Sequence, residues 1–67
     1  MSDPERVFIS RKIQLNEQLD ENVINHENWE KAMVCVLGAY YRTNPQEAKK
    51  QARAMGIDVE WSEWEDD

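Results

Sequence analysis

The sequence is poor in the residues that build disulfide, metal and catalytic sites. Among 67 residues there is one cysteine and one histidine, so neither a disulfide within the chain nor a structural zinc site with four N or S ligands is available. His26 and Glu30 are four residues apart, but two ligands are too few for such a site. Cys35 lies in an apolar stretch and is predicted to be a buried packing thiol rather than a nucleophile. We therefore expect no enzyme, no metal site and no cofactor.

Long apolar runs are also missing. The longest extends from Ala32 to Tyr41, about half of the roughly 20 residues that a bilayer-spanning helix needs. The opening residues, MSDPERVF, lack the basic and then apolar pattern of a signal peptide. A lone thiol suits a reducing compartment. These features favour a soluble, cytoplasmic protein without a membrane partner.

Acidic charge is concentrated at the end of the sequence. Residues 1–57 contain eight acidic and eight basic side chains, whereas residues 58–67 contain six acidic side chains and no basic one. The last ten residues therefore account for the whole net charge of −6. Such a local field attracts a basic partner and repels phosphate, so nucleic acid is an improbable ligand for this end.

Apolar and polar residues alternate in two segments, residues 6–15 and residues 57–62. In the first segment, one parity holds Val7, Ile9, Ile13 and Leu15. In the second, it holds Ile57, Val59 and Trp61. A period of two predicts a half-buried β-strand in each segment. Trp64 breaks the parity, so we expect the second strand to end near Ser62, and Trp64 either to face outward or to belong to a flexible tip.

The first of two predicted helices begins after Asn25, a good N-cap residue. It carries apolar side chains over a wide arc from Trp29 to Tyr41, which predicts burial on more than one side. Gly38 lies inside this helix, where glycine costs roughly 1 kcal/mol relative to alanine. A close contact with the backbone at Gly38 would offset that cost.

The second predicted helix has a start signal in Asn44 followed by Pro45, and a stop signal in Gly56. The small side chains on one face of this helix are Ala48, Ala52 and Met55. We expect them to lie against the small side chains of the first predicted helix, which are Ala32, Cys35 and Ala39.

Together these elements predict an α+β fold in the order β-α-α-β. Residues 1–62 would form one domain in which two strands from the chain ends are packed by two antiparallel helices, and residues 63–67 would form an acidic tip. One thin sheet and one alanine-faced helix cannot cover the wide apolar arc of the first helix. A chain of this size also buries only about 60% of its unfolded surface, so we expect a homodimer or an obligate partner.

A strand followed by two helices is also the outline of ribbon-helix-helix dimers, in which strand side chains read a DNA groove. The side chains that would face DNA are Arg6, Ser10, Lys12 and Gln14. The first strand brings no larger basic patch with it. A dimeric DNA-binding transcriptional regulator is therefore our second hypothesis.

Our first hypothesis concerns the ending DVEWSEWEDD. Tryptophan is enriched in binding hot spots, and here it stands among carboxylates. The predicted partner-binding residues are Asp58, Glu60, Trp61, Glu63, Trp64, Glu65, Asp66 and Asp67. They predict a small acidic interaction module, an inhibitor or adaptor that docks on a basic, nucleic-acid-binding protein. Small chains of this composition are common among virus-encoded modulators of host machinery. The simpler alternative is a solvated terminus that maintains solubility.

Overall fold

In the computed structural model, residues 3–65 are described, and they form three α-helices and one short 3-10 helix. Helix α1 spans Pro4–Asp20, α2 spans His26–Tyr41 and α3 spans Pro45–Met55; the 3-10 helix spans Trp61–Trp64. Helix α2 is the central element, because it contacts α1, α3 and the 3-10 helix. Lys12 Nζ on α1 donates a hydrogen bond of 3.2 Å to Gln51 Oε1 on α3.

The prediction of an α+β fold is wrong, since no strand forms within residues 3–65. Residues 6–15, predicted as the first strand, belong to α1. The helix begins because Asp3 accepts a hydrogen bond of 3.0 Å from the Glu5 backbone N–H, and Pro4 occupies the first turn. Pro4 has the fixed φ of a helix start and no N–H to leave unsatisfied there. This local capping signal agrees with the helical conformation of the segment.

Side-chain burial along α1 follows the helical period and not the period of two. Phe8 is buried at 3% exposure, whereas Ile9 and Ile13 are 46% and 52% exposed. Leu15 and Leu19 are partly buried against the core, seven and eleven residues after Phe8, where a helix returns to the same face. The strand pattern thus assigned Ile9 and Ile13 to the core and Phe8 to the other face, which is the reverse of their positions in the structure.

Helix α2 begins as predicted. Asn25 Oδ1 accepts a hydrogen bond of 2.8 Å from the Asn28 backbone N–H. Within the helix, Met33 and Leu37 are fully buried. The other buried apolar and aromatic side chains of the described chain are Phe8, Trp29, Tyr40, Tyr41, Ala48, Ala52, Ile57 and Val59. The core thus surrounds α2 and draws on α1, α3 and the connection that follows α3.

Helix α3 confirms its predicted start and stop. Asn44 Oδ1 accepts a hydrogen bond of 3.3 Å from the Glu47 backbone N–H, and Gly56 takes the left-handed conformation with φ 70°. Ala48 and Ala52 are buried as expected, but Cys35 and Ala39 are exposed. Helix α3 therefore does not pack on the side of α2 that carries those two residues, and that pairing of faces was wrong.

In the segment predicted as a second strand, residues 57–60 form an irregular connection, and residues 61–62 belong to the 3-10 helix. Its alternation is real, because Ile57 and Val59 are each 7% exposed while Asp58 and Glu60 are exposed. A buried segment can alternate in this way by lying along helices, without pairing to another strand. The boundary predicted after residue 62 falls inside the 3-10 helix.

No helix within residues 3–65 combines the length and the apolar character that crossing a bilayer requires.

Candidate functional site

Tyr41, in the last turn of α2, holds the acidic end of the described chain in place. Its ring stacks on that of Trp61 with a centroid distance of 4.8 Å and an interplanar angle of 28°. Its hydroxyl donates a hydrogen bond of 2.7 Å to Glu65 Oε1. Lys49 Nζ on α3 lies 5.6 Å from the centre of the Tyr41 ring, within the range of a cation–π contact. The segment from Trp61 to Glu65 is therefore anchored on α2.

Trp64 lies directly on the backbone of α2 at Gly38. A methyl group at Gly38 would overlap the ring carbons Cδ2, Cε2 and Cε3 of Trp64. The close approach that the glycine predicted is thus confirmed, with an indole as the neighbour. Trp64 is half-buried and packs against the core. The prediction that it faces outward is wrong, because parity along a strand does not apply to a 3-10 helix.

The carboxylates of the segment face solvent. Asp58, Glu60 and Glu63 are exposed, and within residues 3–65 they form no ion pair. Glu65 is also exposed and uses one oxygen to accept the Tyr41 hydrogen bond. We call these four residues the acidic surface. Asp66 and Asp67, also predicted to bind the partner, lie outside the described residues.

Tyr41 and Glu65 interact in a way that depends on protonation. The hydrogen bond from the Tyr41 hydroxyl to Glu65 raises the pKa of Tyr41, and burial and the negative charge of Glu65 raise it further. The bond requires the neutral phenol, because only that form has an O–H group that can donate a hydrogen bond to the carboxylate. At neutral pH the Tyr41 phenol is therefore neutral and able to donate this hydrogen bond.

The four residues predicted to read DNA do not form a common surface. Arg6, Ser10 and Gln14 are exposed on α1, whereas Lys12 is half-buried and bonded to Gln51. Arg6, Ser10 and Gln14 are spaced by four and share one face of α1, whereas Lys12 lies on another face. The ribbon-helix-helix outline is wrong, because the strand on which it depends is helical, and DNA binding by this chain stays a prediction.

Cys35 is exposed, so the prediction of a buried thiol is wrong. It lies in an apolar groove between α1 and α2 with a volume of about 390 Å³. The residues that line the groove are Pro4, Val7, Phe8, Arg11, Cys35, Val36, Ala39, Tyr40 and Thr43. Among the residues that the structure describes, no three His, Cys, Asp or Glu side chains lie close enough together to hold a metal ion.

Comparison of the chain with models of protein families, with curated proteins and with solved structures finds no match.

The sequence pattern indicates the acidic residues of this segment but not Tyr41, which contacts both Trp61 and Glu65. The sequence predicts Tyr41 to be a semi-exposed packing residue that widens the apolar stripe of α2. Its contacts with Trp61 and Glu65 join residues 20 and 24 positions apart. A local pattern contains no signal for a pairing at that separation.

Proposed function

We propose that this protein is an interaction module, an inhibitor or adaptor, that binds a basic surface of a partner protein through its acidic surface. The observation that carries the proposal is the exposure of Asp58, Glu60 and Glu63 without an ion pair in residues 3–65. Neighbouring carboxylates that face water in this way repel one another, and a basic partner relieves that repulsion.

The way the acidic surface is held supports binding. Ile57 and Val59 are buried on either side of Asp58, and Trp61 stacks on Tyr41. The carboxylates are thus presented by a backbone that the core holds in place. A partner that binds a held surface loses less free energy to ordering it than one that binds a free tail.

Trp61 packs inward as its parity with Ile57 and Val59 predicts, whereas Trp64 has a different role from the one that the sequence suggests. Trp61 and Trp64 are half-buried and packed against the core, so their first role is to hold the segment. We assign electrostatic recognition of the partner to Asp58, Glu60 and Glu63. In this arrangement the charged groups govern the rate of encounter and the choice of partner.

The test compares two charge reversals of equal size. Glu60→Lys with Glu63→Lys changes the acidic surface, while Glu17→Lys with Asp20→Lys makes the same change of net charge at exposed positions of α1. Each tagged double variant and the wild type are used to capture partners from a cell lysate. The captured protein is then purified, and its affinity for each chain is measured at two salt concentrations.

We expect a basic protein whose affinity falls on the order of tenfold or more with the first double variant and falls further as salt increases. The α1 variant should bind nearly as well as the wild type. If both double variants bind every captured protein as the wild type does, the acidic surface serves only solubility and the proposal is wrong.

A further inference from the structure

The groove between α1 and α2 exposes apolar surface that no described element covers. Val7 on α1 is 44% exposed, and Cys35 and Ala39 on α2 are exposed beside it. Arg11 is the one charged residue among the nine that line the groove. The wide apolar arc predicted for α2 is therefore covered on the sides of α1, α3 and the 3-10 helix, and remains open here.

One acidic and one basic residue flank Val7 at equal distances along the chain: Asp3, the N-cap of α1, and Arg11 within the helix. Asp3 and Arg11 lie four residues before and four residues after it, and residues spaced by four share one face of a helix. Both are exposed, and neither forms an ion pair within residues 3–65. Asp3 caps α1 through Oδ1, so its second carboxylate oxygen remains available.

We propose that a second copy of this chain covers the groove, with the two α1 helices antiparallel and Val7 near the two-fold axis. In such a pair, a residue before Val7 faces the residue equally far after it in the other copy. Asp3 of each copy then meets Arg11 of the other, so that two equivalent ion pairs flank the apolar contact. A two-fold contact must be complementary to itself in this way.

The small side chains of α2 suit the same contact. Cys35 and Ala39 project little from the helix, and this leaves room for Val7 of the second copy beside Val36. A stable dimer buries about 800 Å² on each partner, roughly one sixth of the 5168 Å² that this chain exposes. Helix α1 is about 25 Å long. The area of the face that α1 and α2 present together therefore approaches this buried area, and we expect a dimer of modest affinity.

The test is sedimentation equilibrium of the full chain, from below 1 µM to on the order of 100 µM, with charge variants of α1. Arg11→Glu and Asp3→Lys each place like charges opposite one another in both ion pairs, so each alone should weaken the dimer about tenfold or more. Mixing the two variants should restore it. In the mixed dimer the introduced lysine of one chain faces the introduced glutamate of the other, and the native Arg11 faces the native Asp3. Lys50→Glu, an equal charge change at an exposed site on α3, should leave the dimer unchanged.

Circular dichroism of each variant separates dissociation from unfolding. If Asp3→Lys fails to fold because α1 loses its cap, Ala39→Arg at the exposed edge of the groove replaces it and should dissociate the dimer. A wild type that remains monomeric over the whole range overturns the proposal. So does a dimer that Arg11→Glu leaves intact, and so does a mixture of the two folded charge variants that remains dissociated.

Discussion

The contact between Gly38 and Trp64 allows a substitution whose sign distinguishes this structure from a free acidic tail. Alanine in place of glycine inside an exposed helix normally stabilises by about 1 kcal/mol. At Gly38 the added methyl group would overlap the Trp64 indole. The helix backbone cannot move away from a ring that lies on it, so Gly38→Ala must displace Trp64 from its place against the core.

The magnitude follows from the surface that Trp64 buries. A tryptophan buries up to about 200 Å², worth about 5 kcal/mol at about 25 cal per mol per Å². Trp64 is only half-buried, and the unfolded chain also buries some of this surface, so we expect a contribution of about 2–3 kcal/mol. Subtracting the gain in helix propensity, Gly38→Ala should destabilise the wild type by about 1–2 kcal/mol.

The assay is a double-mutant cycle in which the free energy of unfolding is measured by urea denaturation. In a Trp64→Ala background the methyl group meets no ring, so Gly38→Ala should now stabilise by about 1 kcal/mol. The expected coupling energy is therefore about 2–3 kcal/mol. Equal stabilisation by Gly38→Ala in both backgrounds would show that Trp64 does not occupy this place, and would refute the anchored segment.

Three further predictions concern the core, pH and the thiol. Phe8→Ala should lower the free energy of unfolding by about 3–5 kcal/mol and unfold much of the population, while Ile13→Ala should change it by less than about 0.5 kcal/mol. Thermal unfolding followed by circular dichroism measures both. If residues 6–15 were a strand, Ile13→Ala would be the more destabilising of the two. The pKa of Tyr40 is raised by burial and then by nearby carboxylates, and that of Tyr41 by its bond to Glu65. The folded state thus binds these protons more tightly, so the stability they add is complete below about pH 10. It is lost as the pH rises further, and the loss should be smaller in Tyr41→Phe. Cys35 should react with a disulfide reagent in the native protein at low concentration, whereas a thiol that reacts only after unfolding would contradict its exposure.

The helices and their caps could be predicted where the signal is local. Asn25, Asn44 and Gly56 each act within four residues of their own position, and each has its predicted role. The same signal was present at Asp3 and Pro4, which repeat the pattern of Asn44 and Pro45. It was outweighed by the alternation of β-branched residues that follows it. A cap specifies which backbone N–H groups are satisfied, whereas alternation over a few residues also occurs by chance in a helix.

The other wrong predictions, on helix pairing and on the second strand, have one cause. Each depended on which element packs against the segment, and a local sequence pattern does not show this. With the first segment assigned as a strand, α3 was the only helix available to cover α2, and Cys35 and Ala39 were assigned to that contact. In the structure α1 takes part of the surface of α2, and α3 lies elsewhere. The predicted burial of Ile57 and Val59 is confirmed, because the sequence itself shows which side of a segment is apolar. The conformation of its backbone depended on whether a pairing strand existed.

Along residues 57–64, residues that pack against the core are interleaved with exposed acidic residues. Ile57, Val59, Trp61 and Trp64 provide apolar packing, and the acidic residues between them carry charge. Repulsion among those carboxylates disfavours bringing them together, and the burial of their neighbours offsets it. Changes at 58, 60 and 63 should therefore alter binding while stability stays nearly constant, and changes at 57, 59, 61 and 64 should alter stability first. Because buried and exposed residues are interleaved along the chain, one segment can pack against the core and also present the acidic surface that we propose for binding.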